Sequence, residues 1–160
     1  MAKMSNTENN ISFIINLLNN NSLDIKRTRD NCENWIPFEL FLNVDGEEYN
    51  YSSEARATFT LFELRRLLNG LQELISRKQK GHTIEKFEFY SSEAYFDIIF
   101  YDPLEENMIS VEVWIKIGTY TNGKSFGYNK GFQFEVYLDN LEAFTAEMKE
   151  QLERIISSLS

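Results

Sequence analysis

Ile109, Val111, Val113, Ile115 and Ile117 take every second position of one stretch of the chain. Only an extended backbone gathers such residues on one side, because successive strand side chains point to opposite faces. The same period runs through Ile36, Phe38, Leu40, Leu42 and Val44, through Phe96, Ile98 and Phe100, and through Phe132, Phe134, Val136 and Leu138. Phe87 and Phe89 mark a shorter strand. Strands buried on both faces of a parallel sheet read as continuous apolar runs, so alternation implies an antiparallel sheet covered on one side.

What covers it is also visible. Thr60 and Glu63 have capping-box spacing, in which hydroxyl and carboxylate satisfy free backbone N–H groups at a helix start. Leu61, Leu64, Leu67, Leu68, Leu71, Leu74 and Ile75 follow at three- and four-residue steps, the stripe of a core-facing helix. Arg77, Lys78 and Lys80 complement its dipole, and Gly81 suits its stop. A final helix carries Leu141, Phe144, Met148, Leu152, Ile155, Ile156 and Leu159, with Asp139 as its expected cap. Asp45-Gly46 predicts a hairpin turn with Glu48–Phe59 as the returning strand, and Asp102-Pro103 predicts another turn. The expected fold is α+β, an antiparallel sheet of about six to seven strands with two amphipathic helices packed on one face. Residues 35–160 are read as a single domain, and the Asn-rich residues 1–34 as a partly ordered lead-in. Within that lead-in Ile11–Leu18 suits a strand or a short helix.

Thirteen Phe, 8 Tyr and 2 Trp in 160 residues give a chain that collapses into a core. One cysteine, Cys32, excludes an internal disulfide framework and gives no sign of an oxidising compartment. Met1 to Asn10 lacks a secretory h-region, and Ile11–Leu18 is shorter than the roughly 20 residues a bilayer requires. The expected location is the cytoplasm. Sixteen basic against 25 acidic residues leave a net charge of −9. Nucleic acid and anionic membranes are therefore poor partners, whereas a basic protein would be steered toward this surface. Acidity also keeps a protein soluble, with no partner implied.

Gly118-Thr119-Tyr120-Thr121-Asn122-Gly123-Lys124-Ser125 fits the phosphate-loop spacing, in which backbone N–H groups, a lysine and a serine hold phosphate and Mg²⁺. A working loop opens a helix, whose N-terminus attracts the anion. Here the sequence runs on to a predicted strand, so the reading is a hairpin loop turned by Asn122-Gly123. His82 is the sole histidine, and Cys32 has no motif around it, which leaves little for metal or thiol chemistry. Nothing marks one carboxylate pair among 25 as an acid–base couple. No catalytic, cofactor or metal residue is assigned.

The positions opposite the core carry Phe41, Tyr95, Asp97, Ile99, Glu112, Trp114, Glu135 and Tyr137. Such a face suits a basic protein partner: aromatics anchor interfaces and carboxylates select charge. Covering by the N-terminal segment or by a second copy of the chain would account for the same residues, and both readings stay open. Tyr120, Phe126 and Tyr128, interleaved with Gly118, Gly123, Gly127 and Gly131, form a second candidate patch, or else fold back on the sheet edge.

The chain resembles the WapI-like immunity proteins of bacterial polymorphic toxin systems. The resemblance rests on Trp35 before the first alternating strand, on Ala57-Thr58-Phe59-Thr60-Leu61-Phe62-Glu63-Leu64 with Leu67, Leu68 and Leu71, and on Phe134-Glu135-Val136-Tyr137-Leu138-Asp139 before the last helix. It spans about residues 35–156. It implies a cytosolic, non-enzymatic antidote that binds a toxin domain, often a nuclease, encoded by a neighbouring gene. The partner-binding candidates are then Asp97, Glu112 and Glu135 for steering, Trp114 and Tyr137 as anchors, and Tyr120, Phe126 and Tyr128 as the second patch. Two other functions compete: a self-assembling or adaptor module, and a nucleotide-dependent enzyme using Lys124 and Ser125.

Overall fold

The alternating segments become nine strands in the structure, a computed structural model that describes residues 1–20 and 23–159. Residues 21, 22 and 160, inside the expected lead-in and at the end of the expected domain, lie outside the described residues. The strands are β1 (Ala2–Ser5), β2 (Ile11–Leu17), β3 (Trp35–Val44), β4 (Glu47–Tyr51), β5 (Thr58–Thr60), β6 (Phe87–Tyr90), β7 (Phe96–Tyr101), β8 (Met108–Lys116) and β9 (Asn129–Tyr137). The helices are α1 (Leu61–Gln79), the single turn α2 (Ile117–Tyr120) and α3 (Leu138–Ser157). Every pairing is antiparallel, as alternation requires. The α+β class holds, but the strands divide into two sheets rather than one. The first has five strands in the order β1-β2-β3-β4, with β5 also on β3; the second has four in the order β6-β7-β8-β9. Helix α1 breaks the meander, and each half pairs within itself.

The first 17 residues join the first sheet. β2 pairs with β3 over its whole length, which makes Ile11–Leu17 a strand rather than a helix. Ala2, Met4, Phe13, Ile15 and Leu17 are buried. Asparagines supply the turns between these strands: Asn6 Oδ1 accepts the N–H groups of Asn10 and Ile11, each at 2.9 Å, and Asn9 takes a left-handed φ of 58°. Asn34, nearly fully buried, exchanges hydrogen bonds with the backbone of Lys26 at 2.8 and 3.1 Å. Among the bonds that tie the segment to α3 are those from Ser5 N–H to Asn140 Oδ1 and from Leu17 N–H to Gln151 Oε1, both 2.8 Å.

Two local expectations change. Glu48–Phe59 is not one strand, because residues 52–57 loop out opposite Phe38 and Glu39 through a 3₁₀ turn and Arg56 at φ 54°. Asp139 does not cap α3. Tyr137 holds the cap position without a side-chain bond, and Asp139 sits in the first turn, where its charge still complements the dipole. The capping box of α1 forms as predicted, with Glu63 N–H to Thr60 Oγ1 at 3.1 Å and Thr60 N–H to Glu63 Oε2 at 2.9 Å. Gly81 follows the helix at φ 78°. No described helix is long and apolar enough to cross a membrane.

Both sheets turn their apolar sides to one core, closed by α1 and α3. Phe96 of β7 sits at its centre. Its ring lies 5.8 Å from Phe13, 6.3 Å from Phe38 and 6.1 Å from Phe59, all in the first sheet, and 6.0 Å from Phe89 in the second. Asp102 fastens the rim. Its carboxylate accepts from Lys78 Nζ at 2.7 Å, from Ile84 N–H at 3.0 Å and from Leu104 N–H at 2.8 Å, which joins the end of α1 to the β7–β8 turn. Burial alone would raise the Asp102 pKa, but the lysine and the two amides outweigh it and hold the carboxyl below its ordinary value.

Phe96→Ala should therefore lower unfolding stability by roughly 3–5 kcal/mol in urea titration, and a loss under about 1 kcal/mol would contradict the central placement of this ring. Asp102→Asn should cost roughly 3 kcal/mol at neutral pH, since it strands a buried lysine. A carboxyl with a depressed folded-state pKa stabilises fully above its unfolded value, about 4, and the stabilisation fades as pH falls through the folded value. The stability gap between parent and variant should thus shrink below about pH 4. A gap independent of pH would overturn the assignment.

Candidate functional site: the open face of the second sheet

One side of the second sheet lines the core, so its alternate residues project the other way. Cross-strand register arranges them in rows: Tyr90, Asp97, Trp114 and Gly131; then Glu88, Ile99, Glu112 and Gln133; then Tyr101, Ser110 and Glu135; then Met108 and Tyr137. Five of the sequence candidates therefore share one face. Asp97, Glu112, Trp114 and Glu135 are held in its middle, and Tyr137 stands half exposed at its end.

The face is built around Glu112. Its carboxylate accepts Trp114 Nε1–H on one oxygen and the Tyr101 hydroxyl at 2.9 Å on the other. Burial and that hydrogen bond both push the Tyr101 pKa up, so the phenol keeps its proton and stays a donor. The indole is fixed from the other side by Gly131, where a Cβ would come within 2.6 Å of ring carbons of Trp114. Directly paired residues in an antiparallel sheet have close side chains, so only glycine leaves room for the ring there.

The carboxylates differ in how far they are neutralised. Asp97, nearly buried, pairs with Lys116 Nζ at 2.8 Å, and Glu88 pairs with Lys86 Nζ at 2.6 Å. The Lys86 bond, with a further one from the Tyr90 hydroxyl, holds Glu88 below the usual carboxylate range. Among the described residues Glu112 meets only neutral donors, and Glu135 accepts from the Ser110 hydroxyl at 2.6 Å. Glu112 and Glu135 therefore present the uncompensated negative charge of the face. Sequence reasoning left out Tyr90, Glu88 and Tyr101, although each continues the alternation set by Phe87, Phe89 and Phe100. Lys116, two residues beyond Trp114, and Lys86, two before Glu88, share that outer phase, but phase alone does not show which carboxylate each lysine meets.

Two residues placed on this face by sequence lie elsewhere. Phe41 belongs to the first sheet, between Ile14 and Asn50. Tyr95 precedes β7 and packs between the sheets, 5.7 Å from Phe38 and 5.3 Å from Tyr51. The second patch also separates. Tyr120 folds back on β4: its ring lies 6.0 Å from Tyr49 and 5.5 Å from Tyr51, and its hydroxyl accepts Asn50 N–H at 3.3 Å. Burial, with Tyr120 and Tyr95 adding to it, pushes Tyr51 well above the ordinary tyrosine pKa. Phe126 and Tyr128 remain exposed, at 78% and 53%.

The phosphate-like loop is a hairpin connection. Its first glycine lies in α2, Asn122 and Gly123 make the turn at φ 54° and 81°, and the chain passes into β9 without opening a helix. Ser125 N–H is taken by Thr121 Oγ1 at 3.0 Å, and Gly123 N–H by Gly118 O at 2.8 Å. His82 and Cys32 are exposed. Among the described residues no three His, Cys, Asp or Glu side chains converge in a way that could hold a metal ion.

No curated protein matches the chain. A family model, the immunity protein WapI-like family, matches residues 3–155, from within β1 almost to the end of α3. The match takes in the N-terminal hairpin as well as the segment from Trp35 onward, consistent with the pairing of β1 and β2 into the first sheet. The chain belongs to the WapI-like immunity protein family.

Proposed function

We propose that this protein neutralises a cognate toxin domain in the cytoplasm by direct, one-to-one, non-catalytic binding through the open face of its second sheet. The observation that carries the reading is the Glu112 arrangement. An indole and a phenol are locked onto a carboxylate that has no ion-pair partner among the described residues, on the face of the sheet turned away from the core. Rigid aromatics lose little entropy on binding and serve as interface anchors. An uncompensated carboxylate beside them favours Lys or Arg from the partner.

The toxin expected from this chemistry is basic and of nuclease type, because a nuclease must be positive where it holds its substrate. An acidic inhibitor of net charge −9 can occupy that surface or one beside it. Asp97 contributes less to steering than Glu112 and Glu135, since Lys116 offsets it. Tyr137, at the end of the same face, is the second anchor.

The test is co-expression with the toxin domain encoded by the neighbouring gene, followed by calorimetry on the purified pair. The parent protein should restore growth and bind in a one-to-one ratio. Trp114→Ala should weaken binding by roughly 30-fold or more, the scale of an interface anchor. Neither binding nor rescue by folded parent protein would refute the reading, and full affinity in Trp114→Ala would move the interface elsewhere.

A further inference from the structure

Sheet edges with free backbone groups recruit other strands, so the treatment of each edge is informative. The edge of β1 is tied to α3 through Ser5 N–H, and the edge of β4 is met by the Tyr120 hydroxyl on Asn50 N–H. The edge of β6 is met by Arg66, whose guanidinium donates to Glu88 O at 3.2 Å. β9 is different. The carbonyl of Glu135 points away from β8 and accepts Thr7 N–H at 2.9 Å. Strand alternation then turns the N–H and C=O groups of Gln133, Gly131 and Asn129 outward as well. Among the described residues nothing bonds them on that side, and all three residues are exposed.

This free edge adjoins the open face. Gly131 supports the indole of Trp114, and Gln133 and Glu135 flank Glu112 and Ser110 in the register. The exposed rings of Phe126 and Tyr128 stand just before the edge begins.

Resting on the immunity reading above, we propose that β9 receives an extended segment of the toxin as a fifth strand of the second sheet, paired along Asn129–Gln133. Backbone pairing would supply register, and alternate side chains of the incoming strand would lie on the open face. The one opposite Gly131 meets the indole edge of Trp114, and the one nearest Glu135 meets an uncompensated carboxylate. Lys or Arg satisfies both, by laying its aliphatic stem against the ring and by ion pairing. The occupant is thus a strand of the toxin with basic residues at every second position.

The test is amide hydrogen exchange of the full chain, read residue by residue by NMR, with and without the neighbouring toxin domain. The outward amides of Gly131 and Gln133 should exchange quickly in the free protein and become protected in the complex. Gln133→Pro removes one outward N–H without touching the β8 ladder, and should weaken binding by about tenfold. Binding that leaves these amides unprotected overturns strand pairing and spares the immunity reading. Failure of the folded parent to bind the toxin overturns both. Should Gln133→Pro fail to fold, the exchange measurement on the parent decides alone.

Discussion

Phe96 is the contact on which the two halves of the molecule depend. No strand of one sheet pairs with a strand of the other among the described residues, so the ladders that stabilise each sheet do nothing to join them. Side-chain packing does, and Phe96 touches rings from β2, β3 and β5 across the gap as well as Phe89 beside it. Each such ring buries a large apolar area and adds a geometric preference of its own. Smaller links repeat the scheme at the margins, where Tyr49 meets Phe132 and Tyr51 meets Tyr95. With both inner faces committed to this core, the functional surface has to come from the outer faces and edges.

That division explains what the sequence could reveal. Period-two alternation separates inside from outside, so Trp114, Glu112, Glu135 and Asp97 are correctly grouped from spacing alone, and the α1 capping box follows from two residues. Alternation does not say which strands share a sheet. Phe41 and Trp114 have the same local pattern, yet they lie in different sheets because α1 interrupts the pairing. Nor does it mark where a strand ends: Tyr95 is in phase with Asp97 but lies one residue before β7, free to turn into the core. The N-terminal strands are hard to read for another reason. Their asparagines have low strand propensity, and their value as turn formers around β1 and β2 emerges only once the hairpin closes.

The same logic governs charge. A net charge of −9 belongs to the whole molecule, but pairing decides which carboxylates are felt by a partner. Asp97 and Glu88 are offset by lysines that no motif announces, whereas Glu112 and Glu135 are held by an indole, a phenol and a serine. Neutral donors orient a carboxylate without cancelling it. The open face therefore combines fixed geometry with residual negative charge, properties that favour a fast, oriented encounter with a basic protein.

The central claim is that this charge guides the toxin to the sheet face. Its most direct test is the association rate of the protein with the neighbouring toxin domain, measured by stopped flow as salt is raised. Steering by Glu112 and Glu135 predicts a rate that falls by roughly tenfold or more between about 0.02 and 0.5 M salt, with a shallower fall in the Glu112→Gln, Glu135→Gln double variant. A rate that ignores salt, or a double variant as salt-sensitive as the parent, would contradict it.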